Sequence, residues 1–384
     1  MPKPILFTAF EPSGDAVAAA LTAELKRRYA DLQIYALGGD RIAGAGGHLI
    51  ENTTEDPVML AGAVRQMATH RRRLRRLAAW LAKHELSAVV PTDSPAANWS
   101  ICRLVRRLQP QTKIIHLAAP QLWAWAPWRI GKLRRLTDLV LCLLPFETQW
   151  FCSRGVKATF VGHPIFETPL CPDTAFDPWC DQEEHSNRIK LAILPGSRSA
   201  EIKSNYPTMI ATAMDLADKQ DQKIYAAVAA MNETRRQQVE SMTPPQSTLS
   251  LSITCSRTDQ VLQWADVALV VSGTATLQVL RHRVPMVTMY HVNRWSWHLI
   301  GRFLIQTRTF TLPNLIGQSL GLKQVVPELV PHFGKIGPVR AALEPILTQK
   351  RLRQQQRAGF DEIAQVFAQK KFSEVAASAL IDAL

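Results

Sequence analysis

Four short segments of this chain gather residue types that can do chemistry. Glu11, Ser13 and Asp15 stand in Phe10-Glu-Pro-Ser-Gly-Asp15, directly after an apolar run, and Asp93 opens Asp93-Ser-Pro-Ala-Ala-Asn98 after another. A carboxylate at the end of such a run can take a proton from a hydroxyl, and the positive charge around Asp93 is expected to keep it ionised. Further on, Leu194-Pro-Gly-Ser-Arg198 and Ser272-Gly-Thr-Ala-Thr276 combine small residues, hydroxyls and one guanidinium. Gly196 permits a tight turn, Ser197 can cap a following helix, and Arg198 offers a planar donor fork matched to phosphate oxygens. Ser272, Gly273, Thr274 and Thr276 lead into a helical pattern whose first N–H groups would face an anion. Together the two turns suggest a nucleotide diphosphate. Each residue also has a plainer reading: Ser13, Asp15 and Asp93 as helix caps, Arg198 as a solvated loop residue.

Familiar nucleotide signatures are missing. There is no GxxxxGK[ST], and no GxGxxG follows the first apolar run, so ATP hydrolysis and NAD-dependent redox are not expected. Six cysteines are scattered without CxxC or Cys/His ligand spacing, which supports neither a disulfide framework nor a zinc site and fits a reducing cytoplasm. No acidic pair of DxD type lies near the phosphate turns, and no metal or other cofactor is expected.

The elements that must position these turns follow from the alternation of short apolar runs with longer helical patterns. Strands are expected at 4–10, 34–38, 88–92, 113–118, 139–144 and 159–162, then at 190–194, 223–229, 248–254, 267–271 and 285–290. Such alternation predicts βα units and parallel sheets. The fold class is α/β: two Rossmann-like doubly wound domains facing a cleft, with C-terminal helices. The expected boundaries are 1–165 for the first domain, 166–189 for a linker crowded with prolines and acids, 190–338 for the second domain, and 339–384 for a helical tail. Leu352, Phe360, Ile363, Val366 and Phe367 are spaced along one face of that tail. Sheets of this kind bind ligands at the carboxyl ends of their strands.

The charge is unevenly placed. Of 384 residues, 45 are Lys or Arg and 32 Asp or Glu, a net of +13. The stretch from Val58 to Arg135 carries fifteen of the basic residues and two acids, so it holds the whole excess and the rest balances. Any anionic partner should meet the chain there. Within it, residues 64–83 predict a helix with Val64, Met67, Leu74, Leu77 and Leu81 on one side. It reads either as a surface helix packed on the sheet or as an interfacial helix. In the second reading Met67, its other apolar residues and Trp80 would meet acyl chains, and Arg71, Arg72, Arg73, Arg75 and Arg76 would meet anionic head groups. No apolar run reaches the roughly 18 residues of a bilayer span, and the N-terminus reads as a strand and not as a signal peptide.

In this order, the motifs resemble those of the lipid-A-disaccharide synthase family. Besides the four turns, they include Ile115-His116, Pro120-Gln-Leu-Trp-Ala-Trp125, Leu143-Leu-Pro-Phe-Glu147, Phe160-Val-Gly-His-Pro164, Leu312-Pro-Asn-Leu315 and Val326-Pro-Glu-Leu329. The resemblance implies an inverting glycosyltransferase of GT-B fold that transfers diacylglucosamine from UDP to diacylglucosamine 1-phosphate. It implies Asp93 as general base and Arg198 as the essential arginine on the donor side. Gly196, Ser197, Ser272, Gly273, Thr274, Thr276, Gln278 and Asn314 are expected at the donor, and Glu11, Ser13, Asp15, Asn98, His116 and Trp123 at the acceptor. A homodimer, and cytoplasmic placement with peripheral attachment to the inner membrane, are implied as well. The chain departs from the family pattern at Phe10 (usually Gly), Ala96 (usually an acid) and Gln278 (usually Glu). Bulk at Phe10 would narrow the acceptor's space, and an amide at 278 accepts through its oxygen alone.

Three other readings compete. A UDP-sugar 2-epimerase shares the fold but needs no acceptor, and a divergent relative could bind lipid or nucleotide without catalysis. Nucleic-acid binding, suggested by charge alone, is not expected, because the basic residues are interleaved with apolar residues and tryptophans and no nucleic-acid module is recognisable.

Overall fold

Runs such as Ile5–Ala9, Ala88–Thr92 and Val267–Val271 are apolar on both faces, which a strand needs when helices cover the sheet above and below. All three are buried along their whole length. The computed structural model describes residues 3–54, 63–170, 176–179, 188–219, 223–245, 249–298 and 307–384. Their strands form two parallel sheets. The first joins β1 (Ile5–Ala9), β2 (Ile34–Gly38), β3 (His48–Asn52), β4 (Ala88–Thr92), β5 (Lys113–Leu117), β6 (Leu139–Cys142) and β7 (Ala158–Phe160) in the order β3-β2-β1-β4-β5-β6-β7. The second joins β8 (Arg188–Leu194), β9 (Lys223–Ala230), β10 (Ser250–Cys255), β11 (Val267–Val271), β12 (Met286–His291) and β13 (Glu328–His332) in the order β10-β9-β8-β11-β12-β13. Both are doubly wound Rossmann-like orders, reversing between β1 and β4 and between β8 and β11. Edge strands β3 and β13 are not among the expected strands. Both are short and mostly half-buried, and Pro331 in β13 is tolerated because an edge strand need not donate on both sides.

The chain divides into one unit of residues 1–167 with 367–384 and a second of 168–366. The tail expected as one segment, 339–384, is therefore shared. Phe372, Ala376, Ala377 and Leu380, on the helix Phe372–Asp382, lie in the first unit's core with Ile5, Phe7 and Leu21, whereas Val339 and Leu343 lie in the second unit's core. Of the stretch expected as a linker, 171–175 and 180–187 lie outside the described residues. Between them Phe176 faces Trp264, and Trp179 packs edge-on to Tyr225, within the second unit.

Helix α3 (Ala63–Leu81) turns its apolar side inward. Leu77 and Leu81 are 1% and 3% exposed, and Leu74 and Trp80 pack against the same cluster, which also holds Leu6, Val89 and Trp99. Trp80 stacks on His84 with ring centres 4.2 Å apart. Burying a leucine is worth roughly 1.5–3 kcal/mol, so Leu77 and Leu81 fix the helix's orientation and are not available to acyl chains. Arg73, expected at head groups, is buried as well: its Nε and Nη2 donate to Glu51 Oε1 at 3.0 and 2.8 Å. Arg71, Arg72, Arg75, Arg76 and Met67 remain exposed, with Arg76 also reaching Glu51 at 3.0 Å. The Val64 side chain lies outside the described residues. Among the described residues no helix is long and apolar enough to cross a membrane.

Candidate active site

In each unit the candidate turns leave neighbouring strands at the point where strand order reverses. Ala9 of β1 pairs with Thr92 of β4, so Phe10-Glu11 and Asp93 emerge side by side at the carboxyl edge of the first sheet. In the second, Leu194 of β8 pairs with Val270 of β11, which brings the Gly196–Arg198 turn beside the Ser272–Thr276 turn. This is the place where doubly wound sheets open a crevice for ligands.

Asp93 takes a left-handed backbone (φ 56°), uncommon for a residue with a Cβ. Asn98 holds it there. Its Nδ2 donates to the carbonyls of Thr92 (2.9 Å) and Asp93 (3.3 Å), and its Oδ1 accepts from Thr8 at 2.6 Å. Asn98 is wholly buried and its polar atoms are spent on these bonds, so it positions the Asp93 turn and is not placed to hold an acceptor. Both Asp93 carboxylate oxygens are buried without a hydrogen bond of ordinary geometry among the described residues. Burial, then the negative charge of Glu11, pushes this carboxyl up to about 8, against the pull of the Phe10 and Glu11 amides. That corrects the expectation of a carboxylate held ionised by nearby arginines. The arginines of this segment lie mostly on the surface, whereas the groups next to Asp93 are acids. A carboxyl near pH 8 is still suited to a base, because it accepts a proton strongly once ionised.

Helix α1 (Pro12–Arg28) starts immediately after Glu11, earlier than expected, with Pro12 at its first position. Neither Ser13 nor Asp15 caps it. Ser13 is exposed. Asp15 is buried, and its oxygens accept the amides of Gly39 (2.7 Å) and Arg41 (3.1 Å), which spends it on the turn after β2 and away from an acceptor. Phe10 is half-buried, under the Arg73 guanidinium 5.4 Å from the ring centre and against the α3 core. Gly14 is required by contact: a Cβ there would fall on Asp93 Oδ2. Gly14→Ala is therefore expected to displace the carboxylate, cutting turnover at least tenfold and costing about 1–3 kcal/mol in urea unfolding. Wild-type kinetics from this variant would separate Gly14 from Asp93.

Two further acceptor candidates lie on β5 and in the turn that follows it. His116 on β5 is wholly buried and neutral, its pKa pushed down to about 4 by burial, with Nε2 unpartnered among the described residues. It is a core side chain here and cannot touch a ligand as placed. Trp123 is half-buried and donates to Glu147 Oε1 at 3.0 Å. Glu147, in α6 (Pro145–Cys152), also accepts from the Leu144 amide at 3.1 Å, and burial pushes it up to about 7. It holds Trp123, a positioning part that the sequence reading, which has Glu147 only within the Leu143–Glu147 motif, does not assign.

In the second unit Gly196 has φ 107°, which favours glycine, and Arg198 is exposed. The Glu201 carboxylate closes the turn: Oε2 accepts the Ser197 and Arg198 amides at 3.3 Å, and Oε1 meets Arg198 Nη1 at 3.2 Å. Glu201 is the third residue of α7 (Ser199–Lys219), where an acid reaching back to the cap amide forms half of a capping box, and that spacing was the missed signal. Gly273 and Thr274 are exposed, Ser272 is half-buried, and buried Thr276 donates to the Gly273 carbonyl at 2.7 Å. Gln278, in the helix Ala275–Arg281, has its amide nitrogen engaged. Its Nε2 donates to Asp259 at 3.0 Å, and the same Asp259 oxygen meets His282 at 2.8 Å. Asn314 is likewise spent internally. Its Oδ1 accepts the Val325 and Val326 amides at 2.8 and 2.9 Å, and its Nδ2 donates to Glu328 at 3.0 Å, so it braces the loop before β13 and is not free for a donor.

Comparison with known proteins places these features in a family. The family model described as Lipid-A-disaccharide synthetase matches residues 5–381. A lipid-A-disaccharide synthase from Alcanivorax borkumensis is 33% identical over 329 residues, covering 85% of this chain and 83% of that protein. Among solved structures, a putative UDP-N-acetylglucosamine 2-epimerase from Listeria monocytogenes superposes with a TM-score of 0.64 at 11% identity, covering 100% of this chain and 96% of that one. The glycotransferase of kitacinnamycin does so with a TM-score of 0.61 at 14% identity, covering 100% and 99%. At such identities both structures speak to fold alone, and the fold is GT-B.

Proposed function

The chain belongs to the lipid-A-disaccharide synthetase family of glycosyltransferases, and from that membership we propose that it joins UDP-diacylglucosamine to diacylglucosamine 1-phosphate with inversion at the anomeric carbon. The observation that carries this reading is the pairing of functional turns at both strand-order reversals, one turn bearing a buried carboxylate and the other a guanidinium among small residues. In the reaction the acceptor 6-hydroxyl oxygen attacks the anomeric carbon as the bond from that carbon to the diphosphate oxygen breaks. Asp93 takes the hydroxyl proton. UDP leaves with its added negative charge met by Arg198 and the Ser272–Thr276 turn. Glu11 remains on the acceptor side, and its charge keeps the proton on Asp93 until the pH or the bound acceptor favours transfer. The test is mass spectrometry with both substrates. A disaccharide phosphate and UDP, formed only when both are present and β-linked by NMR, is the expected result. Conversion of UDP-sugar without acceptor would favour an epimerase and overturn the reading.

Membrane attachment is proposed on narrower grounds than a lipid-buried helix. With Leu77 and Leu81 in the core, what α3 offers a bilayer is Arg71, Arg72, Arg75 and Met67, an electrostatic surface. Each arginine near an anionic leaflet is worth about 1 kcal/mol and is screened by salt. Binding to phosphatidylglycerol vesicles at low salt is expected to weaken by roughly a hundredfold in Arg71→Gln/Arg72→Gln/Arg75→Gln, and to disappear in high salt. Salt-insensitive binding would reject the electrostatic account.

A further inference from the structure

Positive charge in the first unit also gathers where no acid among the described residues pairs with it. On α4 (Pro95–Leu108) and α5 (Ile130–Leu136), together with the turn before α5, two cations lie over one indole and two more act on the nearer of them. Lys132 Nζ lies 4.3 Å from the centre of the Trp99 ring. The Arg129 guanidinium lies 5.8 Å from the same ring and 4.7 Å from that of Trp125. Arg103, one turn after Trp99 on α4, donates Nε to the Trp99 carbonyl at 3.4 Å, and Arg135 donates to the Gly131 carbonyl at 3.2 Å. None of the four makes a salt bridge among the described residues. Their charges act on one another: burial, then the charges of Arg103, Arg129 and Arg135, holds the Lys132 ammonium below its ordinary pKa. Trp99 is 5% exposed, and its indole N–H is buried without an acceptor among the described residues.

Like charges kept together without a counterion raise the energy of the folded state, and an anion that enters relieves it. Cation–π contacts offset part of that cost, but they do not neutralise charge. The ligand class follows from the donors. Three guanidiniums and an ammonium match the oxygens of a phosphate, and Trp125 and Trp128, 42% and 62% exposed, give its organic body an apolar face to lie on. The position suits the same class. Trp99 directly follows Asn98, which holds the Asp93 carbonyl, so the cluster begins one residue beyond the side chain that sets the base. We infer that Arg103, Arg129, Lys132 and Arg135 around Trp99 form a phosphate-binding site in the first unit. Resting on the function proposed above, the site takes the phosphomonoester of the acceptor sugar.

The test uses the full chain and the tryptophans already in place. Indole fluorescence is titrated with glucosamine 1-phosphate, with inorganic phosphate and with unphosphorylated glucosamine, in wild type and in Arg129→Gln and Lys132→Gln. Both phosphates are expected to bind and glucosamine not to, with each variant losing about tenfold or more in phosphate affinity. Melting temperature should hold or rise in the variants, because each removes repulsion. In steady-state assays the KM for the acceptor phosphate should rise by the same factor while the KM for the UDP donor stays put. Unchanged phosphate affinity in both variants would overturn the site. Loss of binding to anionic vesicles with sugar-phosphate affinity intact would overturn it too, by giving the patch to the lipid surface. A chain that binds sugar phosphate here yet forms no disaccharide would keep the site and overturn its assignment to the acceptor.

Discussion

Asp93→Asn is expected to lower kcat by about two orders of magnitude or more, with UDP affinity by titration calorimetry close to wild type. The amide keeps the shape of the side chain and its place over Gly14 but cannot take a proton. Because burial and Glu11 push the Asp93 carboxyl up to about 8, the wild-type rate at subsaturating acceptor should climb with pH and level off above about 8. The variant's residual rate should lack that limb. Stability moves the other way. The unfolded carboxyl titrates near about 4, so between there and pH 8 the folded state binds the extra proton, and stability falls as pH rises through that window before levelling. Asp93→Asn removes this cost, and its melting temperature relative to wild type should grow from pH 4 to pH 8. A base that slows the enzyme when removed, yet steadies the fold, separates a catalytic carboxylate from a structural one. Near-normal turnover in Asp93→Asn would falsify the assignment.

Arg198→Ala is expected to cost roughly ten- to a hundredfold in affinity for UDP and for the donor, the range for a lost charge-assisted contact to phosphate. Arg198→Lys should recover part of it, since an ammonium supplies the charge without the fork. The fold should be untroubled, because Arg198 is an exposed side chain whose ion pair with Glu201 is largely solvated. If calorimetry found UDP binding unchanged in Arg198→Ala, the guanidinium would belong to the turn's own structure and not to the diphosphate.

The central strands, both Rossmann-like sheets and the turns that matter were legible because their signals are local. Five-residue apolar runs ending in Glu11, Asp93, Gly196 and Ser272 announce themselves without knowledge of what packs on them. The edge strands β3 and β13 escaped because half-buried strands carry weak patterns. Roles assigned residue by residue fared less evenly. Asp15, Asn98, Asn314 and Gln278 are polar residues in the right turns. The polar atoms of the first three are already committed, to amides at Gly39 and Arg41, to the Asp93 turn, and to Val325 and Val326, and the Gln278 amide nitrogen is held by Asp259. A motif fixes where a side chain starts, and its hydrogen-bond partners are distant in sequence.

The basic stretch shows the division most plainly. The sequence placed the whole net charge between Val58 and Arg135, so that any anionic partner should meet the chain there. It could not say which arginines would face that partner. Packing turned Leu77 and Leu81 inward, took Arg73 into a buried pair with Glu51, left Arg71, Arg72 and Arg75 in solvent, and set Arg129 and Lys132 over Trp99 with Arg103 and Arg135 acting on Lys132. Tertiary structure also reversed the expected state of Asp93. Charge in a sequence counts residues along the chain, whereas a pKa answers to burial and to whatever lies within a few ångströms, and there the neighbour is Glu11.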